Sequence, residues 1–379
     1  YGIFAQLALE KGESIDVSER IALTPGENRI ELPHVEVNPW WPNGTGEQTL
    51  YTLRITLETA DRGEGYVIER RIGFKQVEWR SCEGAPIDAE PWICVVNGVP
   101  IFLQGANWVP PTLDYHSASL EDYKCLIGLY HGMGCNVLRV WGGAILEREW
   151  FYDLCDEAGI LVWQEFPLSS SGVENYPPDD PEVIGQLARI AQSYIRRRAY
   201  HASLLLWCGG NELTERNSEA TPIGCDHPCI TALKEVVKRE DPGHRFIPTS
   251  ASGPQFYAHA KNYGKGIHHD VHGPWGMSEF GAPGAWQAYW ERDDALFRSE
   301  VGMPGASSEA LLKRFSGGLP VWPPLGEYWI HGSAWWIQWE QYREQLADMP
   351  LEKALSAYVQ ATQEFQADAY AIAAASAKG

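Results

Sequence analysis

Residues 203 to 212 read Ser-Leu-Leu-Leu-Trp-Cys-Gly-Gly-Asn-Glu. Leu204 to Trp207 is an apolar run too short for an independent helix and suited to a strand buried on both faces. Gly209 and Gly210 let the backbone turn. Asn211, a neutral hydrogen-bonding group, and Glu212, a titratable carboxyl, follow at once. A carboxyl at the C-terminal end of a buried parallel strand is where barrel enzymes place their chemistry. Burial against tryptophan raises a carboxyl's pKa and fits it to act as a general acid. The plainer alternative has Glu212 capping the first turn of a following helix.

A carboxyl that acts as an acid commonly works with a second one as base or nucleophile, so a partner is expected on another strand end. Two stretches compete for it, Ser278-Glu279-Phe280-Gly281 and Ser299-Glu300-Val301-Gly302. Glu300 ends the strand pattern Ala295-Leu-Phe-Arg-Ser-Glu-Val, whereas Glu279 follows the loop-like His-Gly-Pro-Trp-Gly-Met-Ser. Too few residues separate His272 from Glu279 for a helical crossover, which favours Glu300. Other strand ends add Asn107 and Trp108, then Arg139 and Trp141, then Glu165, then His272 and Trp275 as candidate binding residues. Each also has a structural reading. Arg139 pairs with a buried carboxylate, Glu165 is an ion-pair partner, and the tryptophans are core.

The elements that must carry these residues change character near residue 81. Before it, period-two patterns at Phe4–Leu9, Arg29–Leu32, Tyr51–Leu57 and Tyr66–Ile72 are separated by Pro, Gly and Asn turns. They predict an immunoglobulin-like β-sandwich over 1–80. In this region Trp40 and Trp41 either line a binding surface or pack against the next domain. After it, a hairpin turn at Asn97-Gly98 leads into alternating strands and helices. The strands are expected at 101–107, 136–141, 161–165, 204–208, 245–250, around 270–272 and at 295–301. The alternation predicts a (β/α)8 TIM-type barrel over 81–379. Ala334-Trp-Trp-Ile-Gln-Trp also reads as a helix face, so the barrel is expected to stop short of strand eight.

Composition narrows the classes. With 30 basic and 50 acidic residues among 379, the net charge is −20, which disfavours nucleic acid and anionic membrane as partners. Seventeen tryptophans and seventeen tyrosines offer aromatic faces suited to sugar rings as well as to large cores. Of eight cysteines, only Cys225 and Cys229 form a close pair, around His227. Without a second ligand pair at zinc spacing, a plain loop is preferred to a metal site or a disulfide. Reduced core thiols and the absence of a signal peptide or membrane span point to the cytoplasm. The opening Tyr-Gly-Ile-Phe, on strand pattern and without Met, predicts a piece of a longer protein.

Gly105-Ala-Asn-Trp, Arg139-Val-Trp-Gly-Gly, Trp163-Gln-Glu-Phe, Trp207-Cys-Gly-Gly-Asn-Glu, Asp270-Val-His and Phe297-Arg-Ser-Glu-Val-Gly follow in this order. The set resembles family 2 glycoside hydrolases, most of all the β-mannosidase branch. Trp40-Trp-Pro-Asn-Gly-Thr-Gly-Glu-Gln is similar to that family's immunoglobulin-like domain. The resemblance implies a retaining exo-glycosidase acting on a β-mannoside or related β-glycoside. Glu212 is then the acid/base and Glu300 the nucleophile. Asn211 binds the sugar 2-hydroxyl, and Trp141 and Asn107 line the terminal subsite. No metal or cofactor is implied. Three departures stand out: the family's N-terminal sugar-binding domain is not expected here, nor is the eighth strand, and Gly273-Pro274 replaces the aromatic after Asp-x-His. They keep open other family 2 activities (exo-β-glucosaminidase, β-galactosidase, β-glucuronidase) and a catalytically inactive carbohydrate-binding fragment.

Overall fold

A computed structural model of the chain describes every residue except 1, 10–13, 21–23, 32–33, 59–64, 170–174, 217, 277–282, 332–337, 347 and 379. It divides into two compact units, Tyr1–Ser252 and Gly253–Gly379.

The first unit opens with a four-stranded antiparallel sheet of sandwich type. Its strands are β1 (Gly2–Leu9), β2 (Ser14–Arg20), β3 (Tyr51–Glu58) and β4 (Tyr66–Ile72), in the order β2-β1-β3-β4. Arg29–Glu31, expected as a strand, is irregular; Leu32 lies outside the described residues. The Asn28 side chain closes a local turn onto Thr24 and Gly26, and the stretch has no sheet partner among the described residues. β5 (Val77–Arg80), β6 (Ile93–Val96) and β7 (Val99–Ile101) form a second antiparallel sheet. Its hairpin turns at Asn97 and Gly98, both at positive φ, as an Asn-Gly turn requires.

Five parallel strands follow: β8 (Gly105–Trp108), β9 (Val137–Val140), β10 (Leu161–Glu165), β11 (Leu204–Cys208) and, after the short hairpin β12 (Thr214–Glu215) and β13 (Ser218–Pro222), β14 (Arg245–Ile247). Each pairs with the next in chain order, apart from that hairpin. The strand expected over 101–107 is divided between β7, which pairs with β6, and β8, which pairs with β9; a Cβ on Gly105 would lie 1.7 Å from the Val137 carbonyl oxygen. Between the strands run α1 (Leu120–Gly132), α2 (Glu149–Ala158), α3 (Pro181–Arg198) and α4 (Pro228–Glu240). Ser119 and Asp122 make a reciprocal capping box on α1, and Asp180 caps α3 ahead of Pro181. Every residue of β9, β10 and β11 is buried, as expected for a parallel sheet covered on both faces.

The Trp40-Trp-Pro-Asn stretch fastens the sandwich sheet to this α/β layer. Trp40 is fully buried and donates its indole N–H to the Asp156 carbonyl at 2.8 Å. The Asn43 N–H bonds Gly159 O at 2.7 Å, and its amide reaches His131 and Cys135 carbonyls. Packing is therefore the role of Trp40. Lys75 adds a buried ammonium that donates to the carbonyls of Ala202 and Leu204 at 2.5 and 2.6 Å, just where β11 begins. Burial pushes its pKa down to about 8 from 10.5, against the pull of Asp156 and Asp241.

In the second unit β15 (Asp270–His272) and β16 (Phe297–Glu300) are a parallel pair joined through α5 (Pro283–Trp290). α6 (Glu309–Phe315), α7 (Glu327–His331), α8 (Trp339–Leu346) and the long α9 (Leu351–Lys378) follow. Trp286 of α5 donates to the Ala369 carbonyl of α9 at 3.1 Å and anchors the two helices. Two sequence expectations, Glu279 and Ala334–Ile337, lie outside the described residues. No described helix is long and apolar enough to cross a membrane.

Candidate active site

In the first unit, one group of candidate residues sits at the C-terminal ends of β8 to β11. Beyond Cys208 the chain stays threaded between its neighbours: the Asn211 N–H donates to Leu168 O at 2.9 Å, Ser250 N–H to Gly210 O at 3.0 Å, and Glu212 N–H to Ser250 O at 2.5 Å. The two glycines are required by that crowding. A Cβ on Gly209 would lie 2.1 Å from Pro248 O, and one on Gly210 2.6 Å from Leu168 O. Glu212 is half-buried and lies in the left-handed region at φ 54°. A side-chain-bearing residue in that region costs on the order of 1–2 kcal/mol, the kind of strain that collects at functional sites. The chain then enters β12 rather than a helix, so Glu212 is not a helix cap.

Arg139 organises the residues around it. Its guanidinium donates from Nε to Glu165 Oε1 at 2.9 Å, from Nη1 to Asn107 Oδ1 at 2.8 Å, and from Nη2 to Asn211 Oδ1 at 2.5 Å. Both members of the Arg139–Glu165 pair are buried, so the structural reading of these two residues holds, and the same guanidinium orients two candidate binding groups. Burial pushes the Glu165 carboxyl up. Arg139 and the Gly142 N–H, 2.7 Å from Oε2, oppose the push. With its Oδ1 accepting from Arg139, Asn211 turns its amide nitrogen the other way and donates to Ser169 Oγ at 3.3 Å. Trp141 is half-buried beside Gly143, whose Cβ would strike its ring at 2.1 Å.

Trp108 corrects an expectation. It is 2 % exposed, packs between Tyr123 and Phe151, and donates to Glu147 Oε1 at 2.9 Å. It offers no face to a ligand, since the strand alternation that leaves Asn107 half-buried turns Trp108 toward α1 and α2. The sequence also hid Cys208, whose thiol lies 3.5 Å from Glu165 Oε1.

In the second unit, another group lies at the ends of β15 and β16. Glu300, half-buried, accepts the Trp275 indole N–H at 2.9 Å on Oε1, and its Oε2 lies 3.7 Å from His272 Nδ1. Fully buried Asp270 accepts from the Ser299 N–H at 3.2 Å and hydroxyl at 2.5 Å, fixing the residue before Glu300. Tyr257 packs edge-on against Trp275, ring centroids 5.6 Å apart, and bridges to the His272 backbone. Sequence reasoning missed Tyr257; its only local signal is the Gly253-Pro254 turn ahead of it.

Two other groups invite a metal reading. Asp153, Asp156 and His201 bring ligand atoms within 4.8 Å, but Asp156 already takes the His201 Nδ1 contact at 2.8 Å and the Ser203 N–H at 2.7 Å. The Cys225–Cys229 stretch is a helix start: His227 Nδ1 accepts the Cys229 N–H, and both thiols are free.

With this geometry in hand, two family models match the chain. Residues 6–75 match "Glycosyl hydrolases family 2", and residues 146–255 match "Glycosyl hydrolases family 2, TIM barrel domain". Goat (Capra hircus) β-mannosidase is 33% identical over 207 residues, 52% of this chain and 23% of that enzyme. Emericella nidulans β-mannosidase B is 34% identical over 177 residues, 47% of this chain and 20% of that enzyme. The crystal structure of a β-D-mannosidase from Dictyoglomus thermophilum superposes with a TM-score of 0.77 at 25% identity, over 98% of this chain and 45% of that one. The chain belongs to family 2 of the glycoside hydrolases, a sandwich domain followed by a TIM-type barrel. Within the family it lies near the β-mannosidase branch. The stretches matched in these two curated relatives span under a quarter of each enzyme's length.

Proposed function

We propose that the protein is a retaining exo-β-glycosidase that removes terminal β-D-mannosyl residues. Glu212 acts as acid/base and Glu300 as nucleophile. In the first step a Glu300 oxygen bonds the anomeric carbon while the glycosidic C–O bond breaks, and the Glu212 proton passes to the departing oxygen. In the second, water attacks the same carbon, gives a proton to Glu212, and the electron pair of the ester bond returns to Glu300. Asn211, held by Arg139 at 2.5 Å, is the candidate partner of the sugar 2-hydroxyl, with Asn107 and Trp141 as lining groups.

The observation that carries this reading is Glu212 itself. It is a strained, left-handed carboxylic residue at the end of a buried parallel strand, next to an asparagine oriented by a buried guanidinium. A helix cap or a surface carboxylate needs none of that. The three β-mannosidases compared above point to β-mannosides; Gly273, which stands where the family carries an aromatic, keeps a related β-glycoside open as the substrate.

The test is a panel of aryl β-glycosides. β-Mannoside is expected to turn over fastest, with activity abolished in Glu300→Ala. Sugar binding without turnover of any glycoside contradicts the enzymatic reading and supports a carbohydrate-binding role.

A further inference from the structure

Arg298 lies on β16, next but one before Glu300, with its side chain 9% exposed. Burying a guanidinium costs several kcal/mol in lost hydration, which its contacts must offset. Nη2 donates to Asp293 Oδ1 at 2.6 Å and to the Tyr289 hydroxyl at 3.1 Å, and the guanidinium carbon stands 4.7 Å from the Trp290 ring centroid. Those contacts hold α5 and the turn after it against the strand pair, and a purely structural arginine needs no others. Arg298 makes one more. Nη1 donates to the carbonyl of Gly273, just past the end of β15. The chain is tightly set there. Gly273 is at φ 73°, and a Cβ on it would come 2.9 Å from Trp275 Cζ3. From the far side of Glu300, the Gly302 N–H donates to Pro274 O at 3.0 Å. Residues on both sides of Glu300 therefore grip the segment that leads into Trp275. The Trp275 Nε1–H in turn donates to Glu300 Oε1 at 2.9 Å.

We infer that Arg298 is a positioning residue: by holding the Gly273 carbonyl it sets the Trp275 indole against Glu300 and so aims the carboxylate. This rests on the nucleophile role proposed above for Glu300. Arg298 touches no sugar; it acts through the Gly273–Trp275 segment and one ring. Aim matters because displacing a reacting group by about 1 Å costs as much as 10²-fold in rate. The planar guanidinium suits the task. Its fork reaches Asp293 and the Gly273 carbonyl at once, whereas a lysine ammonium is a point charge on a flexible stem and cannot hold both in one geometry. Glycine at 273 acquires a reason as well, since a side chain there would press on the indole and strain the left-handed backbone.

Arg298→Lys keeps a positive charge beside Asp293 and removes the fork; Trp275→Phe keeps a ring and removes the donor. With an activated aryl β-mannoside, each is expected to lower kcat/KM by about tenfold. The double variant should lie within about twofold of Trp275→Phe alone, because both changes act through one bond. A double loss near the product of the single losses, about 100-fold, means that Arg298 works apart from Trp275 and overturns the inference. Gly273→Ala leaves the guanidinium in place and carries the test where Arg298→Lys does not fold. It should lower kcat/KM in the parent and by a smaller factor in Trp275→Phe; an equal factor in both backgrounds overturns the inference. A further readout does not depend on turnover. The Trp275 indole N–H resonance, assigned from its loss in Trp275→Phe, should shift in Arg298→Lys, and a resonance that stays in place also overturns the inference. Full turnover in Glu300→Ala removes the nucleophile reading and this inference with it, whereas an inactive Glu300→Ala beside multiplying losses in the double variant removes this inference alone.

Discussion

The two candidate carboxyls are placed by different means. Glu212 is aimed through its backbone: glycines that admit no side chain, a peptide N–H fixed to Ser250, and a left-handed φ. Glu300 is aimed through its side chain, with an indole donor on one oxygen and a histidine near the other. The difference matches the work each group is proposed to do. An acid/base must lose and regain a proton in every cycle, and a backbone can fix its position without fixing its protonation. A nucleophile must keep its aim at one carbon through both steps, and contacts to its side chain hold that aim. Next to Asn211, the buried charge of Arg139 is paired with Glu165.

The largest effect that would break this contrast is expected at Glu212. Glu212→Gln should slow hydrolysis of alkyl glycosides by roughly 10²–10⁴-fold and of dinitrophenyl glycosides far less, since a good leaving group needs no proton. An equal loss on both, in steady-state rates across a leaving-group series, would mean that Glu212 is structural. Next comes Glu165→Gln, which strands a buried guanidinium and should destabilise the first unit by about 3–5 kcal/mol, read by denaturant unfolding. A loss under about 1 kcal/mol would show that Arg139 reaches water.

Lys75 is the pH-sensitive support under β11. Its folded pKa, about 8, lies below the ordinary 10.5. Below pH 8 both folded and unfolded chains hold the proton, and burial of the ammonium costs its full amount. Between pH 8 and 10.5 the unfolded chain holds more protons, so stability rises with pH. Relative to Lys75→Met, the parent should gain about 3 kcal/mol across that window and nothing below it. A flat difference in chemical-denaturation free energies would contradict the buried ammonium. The smallest effect is expected on the other side: Ser299→Ala removes one hydroxyl bond to Asp270, about 1 kcal/mol, and should lower kcat modestly without changing leaving-group dependence.

Much of this was legible in the residues. Apolar runs bounded by glycine marked β9 to β11, and Asn97-Gly98 marked its hairpin, because burial on two faces and positive φ both leave strong local signatures. β2 was hidden, since Ser14–Arg20 is rich in charge and owes its strand to β1. Arg29–Glu31 had the alternation but no sheet partner among the described residues. In the site, the sequence named Asn107, Arg139, Glu165 and Asn211 as candidates, yet the single guanidinium joining them appears only when four strands, β8 to β11, lie side by side. Trp108 and Trp275 show the limit most clearly. Both are tryptophans next to strand ends, and nothing local says that one faces α1 and the other donates to a carboxylate.

Everything turns on which atom captures the sugar. A 2-deoxy-2-fluoro-β-mannosyl fluoride slows the second step and leaves the glycosyl group on the protein, where peptide mapping by mass spectrometry locates it. The account predicts one equivalent of label on the peptide holding Ser299-Glu300-Val301, with loss of the adduct in Glu300→Gln. Label on any other carboxyl, or slow turnover that leaves no adduct, would contradict it.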